Sequence, residues 1–296
     1  MSISLLRKDI KAYSRSALFK KRTSAVCVLL TALLFRLICA LTEEFMIVLS
    51  KSTVYWSKIN TPSPNVFNLL YELKIPIIVT LISFLIFLIV VSPISLGVKK
   101  WFLICSDKNK NFESNISCIF TFYKSTVSIL KAALLKLVLT ILTAFWGILF
   151  FSPSFIIFCI AVKNFCAGGD ISLITLCAIT FFFPFLMFSF VSFSIFIKRY
   201  SFAKYILADD ISKSILSCIF DSVKLTQNFK CDLFLLELSF LPLKLLNVLI
   251  IPCFFSMPYI CTCRSVYFKY IQKLKYESLC PQDDTAIFPV IKPKTP

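Results

Sequence analysis

Apolar residues run through this chain in long blocks, and polar residues are confined to the joints between them. Ile75 to Val98, Leu137 to Val162 and Ile171 to Ile197 contain no Asp, Glu, Lys or Arg. Each exceeds the roughly 20 residues that a helix needs to span a hydrocarbon core of about 30 Å. Lipid offers no water to backbone N–H and C=O groups, so such blocks are predicted as helices, although their Phe and β-branched content would favour strands in water. Ser24 to Leu41 forms a further block, interrupted by Arg36. The stretch from Leu233 to Phe268 is slightly short for two crossings and a turn, and Pro252 and Pro258 are expected to break it.

The pattern predicts an all-α integral membrane protein. A basic segment, 1–23, precedes a helical membrane domain, 24–272, and a tail, 273–296. About six crossings are expected, near 24–41, 75–98, 137–160, 171–197, 233–251 and 252–271, with five as the alternative. Ala167-Gly168-Gly169-Asp170 is the clearest turn.

A repeat organises these blocks. Ser117-Cys118-Ile119-Phe120 returns as Ser217-Cys218-Ile219-Phe220, and Lys124 and Thr126 return as Lys224 and Thr226. Lys99-Lys100-Trp101 is echoed by Lys198-Arg199-Tyr200. Both copies lie on amphipathic segments ahead of an outward crossing. Ser114 is the expected cap of the first, which carries Ile116, Ile119, Phe120, Tyr123 and Val127. Asp210 is the expected cap of the second, whose apolar stripe is Ile211, Ile215, Ile219, Phe220 and Val223. The N-terminal segment (Leu5, Leu6, Ile10, Tyr13, Leu18) reads as a weaker third copy. Hairpins repeated in one direction imply parallel repeats about the membrane normal.

Composition changes this picture little. The chain is 58% hydrophobic and 16% charged, against about 25% charged for soluble domains. Its net charge of +17 follows topology and gives no reason to invoke nucleic acid. Basic residues number seven in 1–24, three in 42–74, seven in 99–136, one in 163–170 and six in 198–230. Such alternation is the positive-inside pattern, with both termini cytoplasmic. The thirteen cysteines accompany no His, so they read as small packing hydrophobes, with no disulfide framework and no zinc site.

Residues 200–270 contain Tyr200-Ser-Phe-Ala-Lys-Tyr-Ile-Leu-Ala208-Asp209, then Ser222, then Leu233-Phe234-Leu-Leu-Glu237-Leu-Ser239-Phe240, Pro258-Tyr259 and Tyr267. In order and spacing this resembles the bacterial membrane family catalogued as domain of unknown function 975, and Gly97 fits upstream. The chain departs from the family's pattern in having Pro153-Ser154 after the third crossing, Leu243-Lys244 after the Leu-Ser-Phe motif, and Leu249-Ile250-Ile251-Pro252 between the last arms. The resemblance implies a multi-pass bacterial plasma-membrane protein, distantly similar to the membrane domain attached to some glycerophosphodiester phosphodiesterases. It brings no catalytic residues.

Few residues are candidates for chemistry. Glu237 and Lys244, seven apart in an apolar run, share a helical face, and ionisable groups within a membrane need partners. Each other, Arg36 and Asn247 are the available ones. Alternatively, Glu237 lies at the cytoplasmic boundary and Lys244 fixes hairpin packing. Arg36 is expected near the external end, snorkelling or meeting Glu43 or Glu44. Asp209-Asp210 is a weak metal signal that a helix cap explains. No His, glycine-rich phosphate loop or Gly-x-Ser-x-Gly elbow is present. The expectation is a non-enzymatic scaffold or accessory subunit without cofactor, touching anionic lipid or another protein. The alternative is a permease component with a midplane polar site.

Overall fold

The computed structural model describes residues 3–19, 21–49, 66–107, 115–166, 173–246 and 250–279. Among them every regular element is helical. In chain order these are α1 (Ile3–Phe19), α2 (Arg22–Leu49), α3 (Val66–Cys105), a 3₁₀ segment (Ile116–Lys124), α4 (Thr126–Cys166), α5 (Leu173–Ile197), a 3₁₀ turn (Lys198–Tyr200), α6 (Ala203–Asp209), α7 (Ile215–Thr226), α8 (Lys230–Leu238), α9 (Leu241–Leu246) and α10 (Ile250–Leu279).

Among the described residues four stretches are long and apolar enough to cross a membrane: Arg22–Phe45, Ile78–Cys105, Thr126–Cys159 and Thr180–Asp209. They agree with the first four expected crossings but run longer. At about 1.5 Å per residue, the 41-residue α4 outreaches any bilayer core. It continues through Pro153, and α5 through Pro184. The glycine turn between them lies outside the described residues.

The last apolar stretch differs from the expected pair of crossings. Its first arm is two short helices, α8 and α9, parted at Ser239 and Phe240. The proline breaks do not occur as expected, because α10 runs from Ile250 to Leu279 with Pro258 inside. Pro252 falls in its first turn, where a missing N–H breaks no intrahelical bond. Asn247 lies outside the described residues.

Burial divides α2, α3, α4 and α10 into two zones. On α3 the side chains of Ile78, Leu81, Leu85 and Ile89 are exposed, whereas Val91, Ile94, Leu96, Trp101 and Phe102 are buried. On α2, Ala25 and Val28 are buried and Leu33 to Leu41 largely exposed; on α4, burial reaches Leu139 and gives way at Ile141. On α10, Phe255 is exposed and Ile260, Cys263, Val266, Tyr267 and Phe268 are buried. Apolar surface facing lipid gains little from protein burial, so one half of the bundle stays loosely covered. The other half closes into a packed body completed by α1, the 3₁₀ segment and α6 to α8.

Local chemistry builds that body. Gly97 on α3 lets the 3₁₀ segment lie directly against the helix: a Cβ there would sit 1.9 Å from the Ile119 carbonyl oxygen. Lys131 of α4 donates to the carbonyls of Ile211 (2.9 Å) and Ser212 (3.1 Å), fixing the connection into α7. Outside the body, α4 and α5 pair through aromatic rings, including Trp146–Phe196 at 4.3 Å. Within this apolar seam a buried hydroxyl contact joins Ser154 and Ser189 at 3.3 Å.

The echoed tetrapeptides adopt different helices, 3₁₀ at 116–124 and α at 215–226. Even so, Ile119 and Ile219 are both buried and Phe120 and Phe220 both exposed. The expected stripe is therefore corrected at Phe220. On a 3.6-residue period two residues turn about 200°, so burial of Cys218 faces Phe220 outward. Ser222 and Thr226 occupy the buried face instead. The caps shift too. Ser214, not Asp210, caps α7 by accepting from the Ser217 N–H at 3.2 Å, and Asn115 caps the 3₁₀ segment. Ser114 lies outside the described residues.

Candidate functional site

The residue that gathers most charge is Glu237, at the end of the nine-residue α8. This helix packs its Leu233 and Leu236 into the body, carrying the carboxylate to where α5 ends and α10 enters. Lys198 approaches Glu237 Oε2 at 2.5 Å, Arg264 approaches Oε1 at 3.2 Å, and Lys244 reaches Oε2 at 3.8 Å. Lys244, the partner expected from spacing, is thus the loosest of the three. The break between α8 and α9 destroys the single helical face that a seven-residue spacing assumed. Burial opposes ionisation of Glu237, but Arg264 and Lys198 outweigh it and hold the carboxyl below its ordinary range.

In the sequence Lys198 stood out only as part of the Lys198-Arg199-Tyr200 echo, and Arg264 carried no signal of its own. Nothing local links them to Glu237, from which they lie 39 and 27 residues away. Arg36 forms no ion pair with Glu43 or Glu44 among the described residues. Glu44 lies eight residues on, about 12 Å along the helix axis. Arg36 instead lines a groove of about 320 Å³ between α2, α3 and α10, together with Lys99, Arg264 and apolar side chains such as Leu33, Ile94 and Met257.

A second cavity, about 280 Å³, lies against Glu237. Its lining includes Lys99, Lys198, Lys204, Tyr205, Glu237 and Arg264. Four cations therefore face one carboxylate. Lys99 Nζ lies over the Tyr205 ring, 5.1 Å from its centre.

The other singled-out residues serve packing. Ser222 is fully buried and donates to the Arg199 carbonyl at 2.8 Å, satisfying an acceptor at a helix end. Phe240 fills the break between α8 and α9, edge-on to Tyr259 at 5.9 Å and beneath the Lys11 ammonium at 5.3 Å. Ser239 donates to the Leu236 carbonyl, and the Pro258 carbonyl accepts from Thr262. Ala208 and Tyr267 are buried, while Tyr200 and Phe234 are half-buried. Asp209 and Asp210 line an open hollow with Asp221 and Lys213. There Asp210 accepts from the Ser212 hydroxyl and N–H at 2.6 and 2.9 Å, which draws its carboxyl below the usual range. Among the described residues no three His, Cys, Asp or Glu side chains gather as a metal site would require. Burial pushes the Cys218 thiol up, consistent with packing rather than reactivity.

Residues 2–275 match the family described as Protein of unknown function (DUF975). The chain belongs to that family. The match brings no link to a phosphodiesterase membrane domain. No curated protein and no solved structure matches the chain.

Proposed function

We propose that this DUF975 member is a non-enzymatic scaffold or accessory subunit of a bacterial plasma membrane, with its packed basic body on the cytoplasmic side. The observation that carries the reading is the two-zone build. Four crossings present plain apolar surface at one end, while cationic side chains, the family's distinctive residues and the dense packing gather at the other. Positive-inside reasoning puts that end, and both termini, in the cytoplasm. The exposed Leu245, Leu246 and Phe255 support a shallow hairpin formed by α9 and the start of α10. It dips into the bilayer and returns on the same side, so four full crossings keep both termini on one face of the membrane.

A permease needs polar groups at mid-depth. Glu237 instead sits at the rim of the packed body with Lys198 and Arg264, which favours the scaffold reading. The test is crosslinking in native membranes followed by mass spectrometry. Reproducible capture of one protein partner, or loss of fold on delipidation, is expected. Stable, lipid-independent monomers with no captured partner would reject the reading.

A further inference from the structure

The Glu237 cavity holds more positive charge than the chain neutralises. Glu237 engages Lys198 and Arg264, which leaves Lys99 and Lys204 without a carboxylate among the described residues. Lys99 comes from α3, Lys204 from α6 and Arg264 from α10, so cations from three helices converge on one cavity. Arg264 has donors to spare: its Nη2 meets Glu237, while its buried Nε has no hydrogen-bond partner among the described residues. A buried donor left unpaired has lost its water without replacement, a cost that an arriving acceptor recovers. Cations crowded in a low-dielectric cleft also focus a field that concentrates anions.

The neighbouring groove decides which anion. Lys99 and Arg264 line both cavities. The groove between α2, α3 and α10 is mostly apolar, and its Leu30, Leu33 and Met257 are exposed on the zone that faces lipid. A ligand matching both has a phosphate at one end and hydrocarbon at the other.

We propose that this site binds an anionic glycerophospholipid, its phosphate held by Lys99, Lys204 and Arg264 and an acyl chain lying along the α2–α3–α10 groove. Arginine and lysine suit phosphate by different means, a planar fork and a point charge. The site rests on the membrane-scaffold reading and gives it a specific lipid.

Native mass spectrometry of the full-length protein, incubated with phosphatidylglycerol or phosphatidylcholine, tests the assignment. Both lipids carry the phosphate, but the quaternary ammonium of phosphatidylcholine is repelled by the cation cluster, so phosphatidylglycerol is expected to be retained about tenfold more strongly. The Lys99→Gln/Lys204→Gln double variant is expected to lose that preference, and Lys224→Gln, at an exposed lysine on α7, to keep it. Should the double variant fail to fold, the wild-type preference is measured against ionic strength and is expected to shrink as salt rises. Equal retention of the two lipids, a salt-insensitive preference, or an unaltered preference in a folded double variant would overturn the proposal. So would thermal stabilisation by inorganic phosphate without lipid selectivity, which assigns the cavity to a soluble anion. A protein partner captured by crosslinking while lipid selectivity is absent removes only this inference. Failure of both removes the scaffold reading too.

Discussion

Replacing Gly97 with alanine tests whether backbone contact between α3 and the 3₁₀ segment holds the packed body together. The new Cβ would lie 1.9 Å from the Ile119 oxygen, 2.6 Å from its carbonyl carbon and 2.8 Å from its Cα. These are backbone atoms, so no rotamer change relieves the clash. Restoring ordinary van der Waals contact requires a retreat of about 1.5 Å. Ile119 and Phe122, both essentially inaccessible now, move with the segment, and a gap of even 0.5–1 Å forfeits roughly a quarter to a half of each contact's well depth. Overpacking strain of about 1–3 kcal/mol adds to that loss, and the better helix propensity of alanine returns about 1 kcal/mol. The net expectation is destabilisation of about 3 kcal/mol, or a melting temperature lower by about 10 °C for a domain of this size. Gly147→Ala is the internal control. Its Cβ would meet only the Phe193 ring at 3.9 Å, so its melting temperature should hold or rise slightly. Thermal unfolding of both variants in the same detergent, followed by size exclusion, makes the comparison. A Gly97→Ala protein as stable as Gly147→Ala would refute the close-approach argument.

Three further outcomes follow from the ion cluster and the caps. Glu237→Gln leaves Lys198 and Arg264 facing each other at a partly buried site and should cost about 2–3 kcal/mol in thermal or denaturant unfolding. Lys244→Gln, at 3.8 Å and 43% exposed, should cost less than about 0.5 kcal/mol; equal losses would contradict the assigned partners. Because the Glu237 carboxyl is depressed in the fold, its stabilisation is complete above the unfolded value of about 4.3 and is lost as pH falls through the lower folded value. Glu237→Gln should therefore flatten the acid limb of a melting-temperature-versus-pH curve; an unchanged limb would assign it to other groups. Ser214→Ala removes the cap of α7 and should cost about 1 kcal/mol, read as a lower melting temperature, whereas Asp210→Ala, outside that cap, should cost less.

The membrane-spanning blocks and the basic ends could be read along the chain because they depend on local composition. A charge-free apolar run longer than a bilayer is wide has only one way to satisfy its backbone, and this holds whatever its neighbours do. The family motifs were equally legible, since they recur at set positions. The caps and the buried face of α7 were less so. Asp210 and Ser214 are both competent caps, and the choice fell to Ser214 once Asp210 turned back onto Ser212.

The ion cluster was decided in three dimensions. Sequence spacing pointed from Glu237 to Lys244, on the assumption of one continuous helix. The break at Ser239 and Phe240 removed that face, and packing of α8 against the ends of α5 and α10 supplied Lys198 and Arg264 instead. Electrostatic partners are chosen by distance in space. When hydrophobic packing brings together helices tens of residues apart, no local pattern records the meeting. The same holds for Gly97, whose missing side chain acquires meaning only from Ile119 pressed against it. Composition determined that this chain enters a membrane; tertiary packing determined where its charges converge.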